Sequence, residues 1–125
     1  MISRYFSRIE NILSNCSIIV KFEINIQKIN DSFGIVNGVA FFNNGILNFL
    51  EVVKISEQNK PVKMKYKYNF RNTGNVIIFR YDNMPHYPNV ITFPHHKHTI
   101  DSRIIDSDEP ELIHVIKEIY DMSSK

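Results

Sequence analysis

The sequence predicts an α+β fold, namely a five-stranded antiparallel meander sheet with an N-terminal and a C-terminal helix packed on one face. At both ends of the chain apolar residues recur every three to four positions, which is typical of a helix that lies on a core. Between the ends, five segments alternate apolar and polar residues, as strands with one buried face do. Their connections are so short that consecutive strands must be antiparallel. Because 125 residues suffice for one core, we expect a single domain over residues 1–125.

The first helix is predicted at the N-terminus, and its apolar spacing ends near Cys16, where the period changes to two. Asparagine and glycine in the connections 43–45 and 72–74 provide the backbone angles that tight hairpins need. The five predicted strands cover residues 18–26, 33–42, 46–55, 62–70 and 76–82.

The segment after Asp82 is predicted to be an irregular loop, because its three prolines by position 94 disfavour both a helix and a central strand. Regular structure resumes near Ser107, where acidic residues and Pro110 are typical of a helix start. The apolar face predicted for this last helix consists of Leu112, Ile113, Ile116, Ile119 and Tyr120.

The amino-acid composition is typical of a globular protein. Hydrophobic residues make up 43% and charged residues 22%, which is a globular and not a disordered balance. With a net charge of only +2, any attraction to nucleic acid must come from local clusters of lysine and arginine. The single cysteine cannot form an internal disulfide. No apolar run reaches about 20 residues and no secretory signal is present, so we expect a cytoplasmic protein without a membrane segment.

Glu51 interrupts the apolar face of the third predicted strand, which it shares with Leu47, Phe49, Val53 and Ile55. Burying an unpaired carboxylate there would be costly. Either Glu51 reaches solvent near an edge of the sheet, or it takes part in acid–base chemistry or holds a histidine or an arginine.

Arg80 and Asp82 are expected on one face of the fifth strand, with Phe79 and Tyr81 on the other. The planar guanidinium of Arg80 suits a phosphate, because it can donate two hydrogen bonds to neighbouring oxygens. Asp82 could orient a basic group beside it. An ordinary ion pair between the two is the alternative.

Four of the five histidines lie between Arg80 and His98, and three of them occupy the run 95–98 together with Lys97. Imidazole has an unperturbed pKa of about 6.5 and moves protons near neutrality. Two such groups and a lysine suffice for metal-independent RNA cleavage by attack of the 2′-hydroxyl. The alternatives are a transition-metal site, whose usual zinc spacing differs from this one, and a solvated basic loop. We expect neither a metal nor another cofactor.

Alternation in the fourth strand is expected to place Lys63, Lys65 and Lys67 on one face. Such a stripe beside aromatic residues can bind a phosphodiester chain, although most lysine faces are merely solvated.

Two segments carry a family resemblance. Residues 79–86 read Phe-Arg-Tyr-Asp-Asn-Met-Pro-His, and residues 92–98 read Thr-Phe-Pro-His-His-Lys-His. They resemble the signature of the TumE-like toxins of prokaryotic toxin–antitoxin modules, and the similarity extends to segments 49–53 and 66–68 and over roughly the whole chain. The fourth strand departs from the pattern, since a histidine expected soon after its tyrosines is absent. The resemblance implies a small toxin whose cognate antitoxin often has a DNA-binding fold and covers the toxic surface.

These observations lead to the hypothesis of a ribonuclease-type toxin. The catalytic candidates are His95, His96, His98, Glu51 and Asp82. The candidates for substrate contact are Arg80, Lys97, Tyr66, Tyr68, Asn83 and His86, of which the last four enter only through the resemblance. The histidines would supply base and acid, the two cations would hold the phosphate, and one carboxylate would orient an imidazole. A non-catalytic interaction protein and a metal-dependent nuclease or metal-binding module are the alternatives, and a homodimer is left open.

Overall fold

The computed structural model describes residues 1–85 and 92–123. Nine elements follow one another over these residues. They are α1 (Ile2–Ser14), β1 (Ile19–Asn30), β2 (Phe33–Phe42), β3 (Gly45–Ile55), β4 (Pro61–Asn72), β5 (Ile77–Asp82), β6 (His96–Thr99), β7 (Ile104–Asp106) and α2 (Leu112–Ser123). The α+β class, the two terminal helices and the antiparallel meander are as predicted.

Over the described residues the sheet has seven strands in the order β1 to β7, so the prediction of five was wrong. Both additional strands lie in the segment that the prolines had assigned to an irregular loop. All of these prolines precede β6, and the backbone from His96 onward is therefore free to pair with β5. A tight turn then follows, in which the Thr99 N–H donates to the Arg103 carbonyl over 2.9 Å, and it returns the chain as β7.

Both helices contact the same face of the sheet, as predicted. From α1, the Tyr5 hydroxyl donates a hydrogen bond to Glu51 of β3. From α2, Glu118 accepts a hydrogen bond from Tyr81 of β5. The cross-strand pairing of Phe49 with Tyr68, and of Tyr68 with Tyr81, places these side chains on one side of the sheet. We name this side the helix face and the opposite side the open face.

The core lies between the helix face and the two helices. Along β3 the odd-numbered positions are buried and the even-numbered ones are all at least partly exposed, which is the period of a strand with one covered side. On α2, Ile116 and Ile119 are buried as predicted, and Val115 joins them. Ile113 and Tyr120 are 47% and 52% exposed, so their predicted burial was wrong: the contact stripe is rotated toward Val115. Neither helix of the described ranges is long and apolar enough to cross a membrane.

A β-bulge changes the predicted stripe of lysines. The pairing of β3 with β4 shifts between Val52 and Val53, so that Val52 pairs with Lys65 but Val53 pairs with Lys63. The extra residue turns Lys63 onto the helix face, where it is 9% exposed. Lys65 and Lys67 stay exposed on the open face. The three lysines therefore do not share one face.

Candidate functional site

The predicted site residues divide between the two faces of the sheet because successive residues of a strand point to opposite sides. In β6, His96 pairs with Asp82 and His98 pairs with Arg80, so these four side chains share the open face. We name them the Asp82 cluster. Lys97 pairs with Tyr81 and lies on the helix face. The compact run of basic residues in the sequence is thus not a single site in the structure.

Asp82 is the centre of its cluster and is 1% exposed. Its Oδ2 accepts a hydrogen bond from Nε of Arg80 over 2.9 Å. Its Oδ1 lies 2.8 Å from Nε2 of His96 and also accepts the backbone N–H of Met84 over 3.1 Å. These partners satisfy a carboxylate that would be costly to bury alone. The structure therefore confirms that Arg80 and Asp82 share a face and interact.

His96 lies behind Asp82 and is 1% exposed. One ring nitrogen, Nδ1, lies 2.9 Å from the carbonyl oxygen of Pro94, and the other faces Asp82. Both ring nitrogens thus face oxygen acceptors, so the ring is fixed in orientation. A substrate cannot reach this imidazole directly, and His96 acts as a support for the carboxylate.

His98 and Arg80 are the accessible members of the cluster, with side chains 25% and 36% exposed. Nε2 of His98 lies 3.9 Å from Oδ2 of Asp82, and its ring centroid lies 5.1 Å from that of His96. Partial burial, reinforced by the charges of Arg80 and His96, lowers the pKa of His98 below its usual 6.5, and the charge of Asp82 only partly opposes this shift. The cluster therefore presents a proton acceptor beside a guanidinium that can bind an anion.

One ligand atom from each of Asp82, His96 and His98 lies within 4.8 Å of the other two, close enough to share a metal ion. Two imidazoles and a carboxylate are a donor set that transition metals accept. However, the guanidinium of Arg80 already occupies Asp82 Oδ2 at 2.9 Å, and its positive charge opposes a divalent cation on the same carboxylate. The cluster has the donor atoms for a metal but also a resident cation that competes with it.

Glu51 lies on the helix face, away from this cluster, and is fully buried. One carboxylate oxygen accepts a hydrogen bond from Tyr5 and the other accepts one from Tyr68, while Nζ of Lys63 lies 3.8 Å away. Lys63 in turn donates to the Tyr68 hydroxyl over 2.8 Å and to the carbonyl of Pro110 over 2.5 Å. Glu51 therefore does not reach solvent, so that expectation was wrong, and its partners are a lysine and two tyrosines instead of a histidine or an arginine.

Burial shifts the pKa values of the three side chains that surround Glu51. It raises the pKa values of the Tyr5 and Tyr68 hydroxyls, and the nearby charge of Glu51 raises them further. Burial also lowers the pKa of Lys63, although the carboxylate of Glu51 opposes that shift. We name Tyr5, Glu51, Lys63 and Tyr68 the Glu51 network. Its tyrosines remain neutral donors, so the network supports the packing of α1 onto the sheet.

Lys97 is also engaged on the helix face. Its Nζ donates to Glu118 over 2.8 Å and lies 4.8 Å from the ring centroid of Tyr81. Burial alone would lower the pKa of Lys97, but the bonds with Glu118 and Tyr81 outweigh it and raise the pKa. Lys97 therefore ties β6 to α2 and does not join Arg80 in one phosphate site.

His95 and Tyr66 form a second pair beside the end of β5. Their rings are stacked with centroids 5.7 Å apart, and the Tyr66 hydroxyl lies 2.8 Å from Nδ1 of His95. Asn83 fixes the same strand end, because it accepts the Tyr66 N–H over 3.0 Å and donates to the Met64 carbonyl over 3.2 Å. His86 lies outside the described residues. These residues position the segment that enters β6.

Sequence reasoning missed the partners of Glu51 and Lys97. Tyr5 lies on the predicted apolar side of α1, so its hydroxyl was a signal that this side has a polar requirement. The position of Lys63 depends on a bulge that strict alternation does not reveal. Glu118 lies on a helix whose rotation was misjudged, and nothing local to it indicates a lysine of β6 as its partner.

Comparison with known proteins gives a family match that covers most of the chain. The family model described as Toxin TumE matches residues 9–123. Neither a curated protein nor a solved structure gives a significant match. Since the family model covers nearly all of the 125 residues, the chain belongs to the TumE toxin family and is thus a toxin of a toxin–antitoxin module, with an antitoxin as its partner.

Proposed function

We propose that this toxin is a ribonuclease that cleaves RNA by attack of the 2′-hydroxyl, with His98 as the general base. The observation that carries the proposal is the pairing of two accessible groups on one buried carboxylate: the imidazole of His98 and the guanidinium of Arg80. A base with a lowered pKa is neutral at physiological pH, and a guanidinium binds phosphate oxygens in a fork.

The chemistry follows from these two groups. An imidazole nitrogen of His98 accepts the proton of the 2′-hydroxyl, and the 2′-oxygen forms a bond to phosphorus. The bond from phosphorus to the 5′-oxygen breaks, which leaves a 2′,3′-cyclic phosphate on one fragment. The leaving 5′-oxygen takes a proton from solvent and becomes a 5′-hydroxyl. Arg80 stabilises the charge that develops on the phosphate oxygens.

The buried members of the cluster act through the exposed ones. Asp82 orients Arg80 with a 2.9 Å hydrogen bond and lies close enough to stabilise His98 after it has accepted a proton. His96 fixes Asp82 from the opposite side. We assign these two as positioning residues, and His98 and Arg80 as the residues that contact RNA.

The remaining candidates are proposed to support this site from the helix face. The Glu51 network holds α1, Lys97 holds α2, and the stack of Tyr66 on His95 holds the entry to β6. In the wider module, we propose that the toxin acts in the cytoplasm and that its antitoxin carries a DNA-binding domain and covers the Asp82 cluster.

The test compares His98→Ala with His114→Ala, a matched control at an exposed histidine of α2. Purified parent and control are expected to cleave RNA in the presence of chelator and to leave 2′,3′-cyclic phosphate ends, whereas His98→Ala loses at least about a hundredfold in rate, as is typical when a general base is removed. Growth arrest after induction should follow the same order. If His98→Ala arrests growth as the parent does and no variant cleaves RNA, a non-catalytic interaction protein is the better description.

A metal-dependent activity is the second candidate, and the observation that favours it is the donor set of Asp82, His96 and His98. Cleavage that is lost with chelator and restored by a single transition metal, together with tight binding of that metal, would support it instead.

A further inference from the structure

The open face continues from the Asp82 cluster across the sheet without a covering helix among the described residues. Two rows of paired residues run along it, perpendicular to the strands. The first row joins His96, Asp82, Lys67, Leu50 and Asn37. The second row joins His98, Arg80, Asn69, Asn48 and Val39. The cluster therefore lies at one end of a continuous surface.

The charge of this surface is one-sided in its middle, over β3, β4 and β5, whereas Asp106 adjoins it beside His96 and Glu23 adjoins it beside Val39. Over β3, β4 and β5 the open face carries five cations, Lys54, Lys65, Lys67, Arg71 and Arg80. Over the same three strands its sole carboxylate is Asp82, which is buried and paired. This local excess of positive charge attracts a polyanion even though the net charge of the chain is only +2.

The groups between the cations suit unpaired bases. Three amides, those of Asn37, Asn48 and Asn69, lie along the two rows and can contact base edges, with the oxygen of Asn48 already accepting a hydrogen bond from Arg71. Leu50 and Val52 lie beside them and are only half-buried, so each offers an apolar surface on which a base can lie. In a duplex the base edges and faces would be hidden from this sheet.

We propose that the open face binds single-stranded RNA as a tract that leads from the Asp82 cluster over Lys67 to Asn37. The tract rests on the ribonuclease proposal only for the position of the scissile phosphate at the Asp82 cluster. The binding of RNA along the open face can be tested separately from cleavage. From His98 on β6 to the level of β2 there are four steps between strands, which is about 19 Å at a spacing of about 4.8 Å. Lys67, directly opposite Asp82, contacts the phosphate next to the scissile one.

The probe is a single-stranded RNA of about eight nucleotides with 2′-O-methyl groups and a fluorophore, a length within the range of known single-strand sites. Methylation removes the nucleophile, so the active protein can be used and binding is measured without cleavage. Lys67→Glu is expected to weaken binding at least about tenfold, and Lys65→Glu gives a second variant on the same surface. The control Lys117→Glu makes the same charge change on α2, behind the helix face.

Salt dependence gives a second readout. The slope of log K against log salt is expected to fall by about 0.7 in Lys67→Ala, the value for one phosphate contact with a single strand. A duplex of the same sequence should bind more weakly than the single strand.

The outcomes separate the two proposals. If Lys67 and Lys65 variants bind RNA like the parent while His98→Ala abolishes cleavage, the tract is wrong and the ribonuclease stands. If the variants weaken binding but no protein cleaves RNA, the tract stands and the ribonuclease proposal fails. If RNA binding is unchanged and only antitoxin binding is lost, the open face is the antitoxin's surface and the tract is overturned.

Discussion

The substitution Glu51→Gln separates a structural from a catalytic role for the buried carboxylate. In the structure this carboxylate accepts hydrogen bonds from Tyr5 and Tyr68 and lies 3.8 Å from the ammonium of Lys63. Glutamine keeps the size of the side chain but has only one accepting oxygen. One of the two tyrosines therefore loses its acceptor, and Lys63 stays buried without a carboxylate.

The expected cost can be worked from these contacts. A hydrogen bond to a charged group contributes about 1.5–3 kcal/mol, and leaving one member of a buried pair unpaired costs about 3–5 kcal/mol. Because Lys63 keeps its bonds to Tyr68 and Pro110, we expect the lower end of that range, about 3 kcal/mol. In a chain of 125 residues this corresponds to a fall in Tm of roughly 10 °C.

The assay is urea and thermal unfolding of Glu51→Gln beside two other variants. Tyr5→Phe removes one hydrogen bond to the carboxylate and should cost about half as much. Glu57→Gln makes the same chemical change at an exposed position and should leave the free energy of unfolding within about 0.5 kcal/mol of the parent. RNA cleavage is measured below the melting range as a function of pH.

The reasoning is refuted by either of two results. If Glu51→Gln is as stable as Glu57→Gln, the Glu51 network does not carry the packing of α1. If folded Glu51→Gln protein shows a shifted midpoint in the pH profile of cleavage, the Glu51 carboxylate influences the histidines although it lies on the helix face.

Four further predictions concern the cluster and the core. Cleavage by the parent should rise with pH through a midpoint below 6.5, because His98 acts when neutral and its pKa is lowered; a midpoint above 6.5 contradicts this assignment. Arg80→Gln removes a cation beside His98 and should move that midpoint upward while slowing cleavage. Asp82→Asn removes an anion and should move the midpoint downward. Equal shifts in one direction would exclude these opposite effects of Arg80 and Asp82 on His98. Zinc added in excess should inhibit cleavage by the parent, because a metal ion on His98 blocks the lone pair that the base needs, and a chelator should restore cleavage. Elemental analysis and rate measurements check this prediction. On α2, Ile116→Ala should cost about 2–5 kcal/mol of unfolding free energy and Ile113→Ala under about 1 kcal/mol, and comparable costs would mean that the helix is rotated differently.

The strands from β1 to β5 could be predicted because their signals are local. Alternation of apolar and polar side chains and polar turn residues are properties of a few consecutive residues, although no glycine among the described residues has a positive φ and the turn after β4 has its left-handed residue at Asn75. β6 and β7 have no such pattern. His96 to Thr99 is polar at each position, and it forms a strand because the backbone of β5 offers it hydrogen bonds.

The sequence indicated which residues to consider for the candidate site but not how they are arranged in space. That Arg80 and Asp82 share one face follows from the period of a strand, but the histidines lie beside them only because β6 pairs with β5. Once residues 96–99 form a strand, the same period forces His96 and His98 onto the open face and Lys97 onto the helix face. A loop would have had no such constraint, which is why the sequence left all of them free to meet Glu51.

By itself the sequence therefore determined the α+β class, the order of helices and the first five strands, the family, and the residues that carry polar chemistry. The tertiary structure alone decided that the sheet has seven strands, that a bulge buries Lys63, and that Glu51 and Asp82 are separated by the thickness of the sheet. The physical reason is that alternation shows which residues share a side of one strand. Which two sides become one face depends on pairing between strands, and pairing is a property of residues distant in the chain.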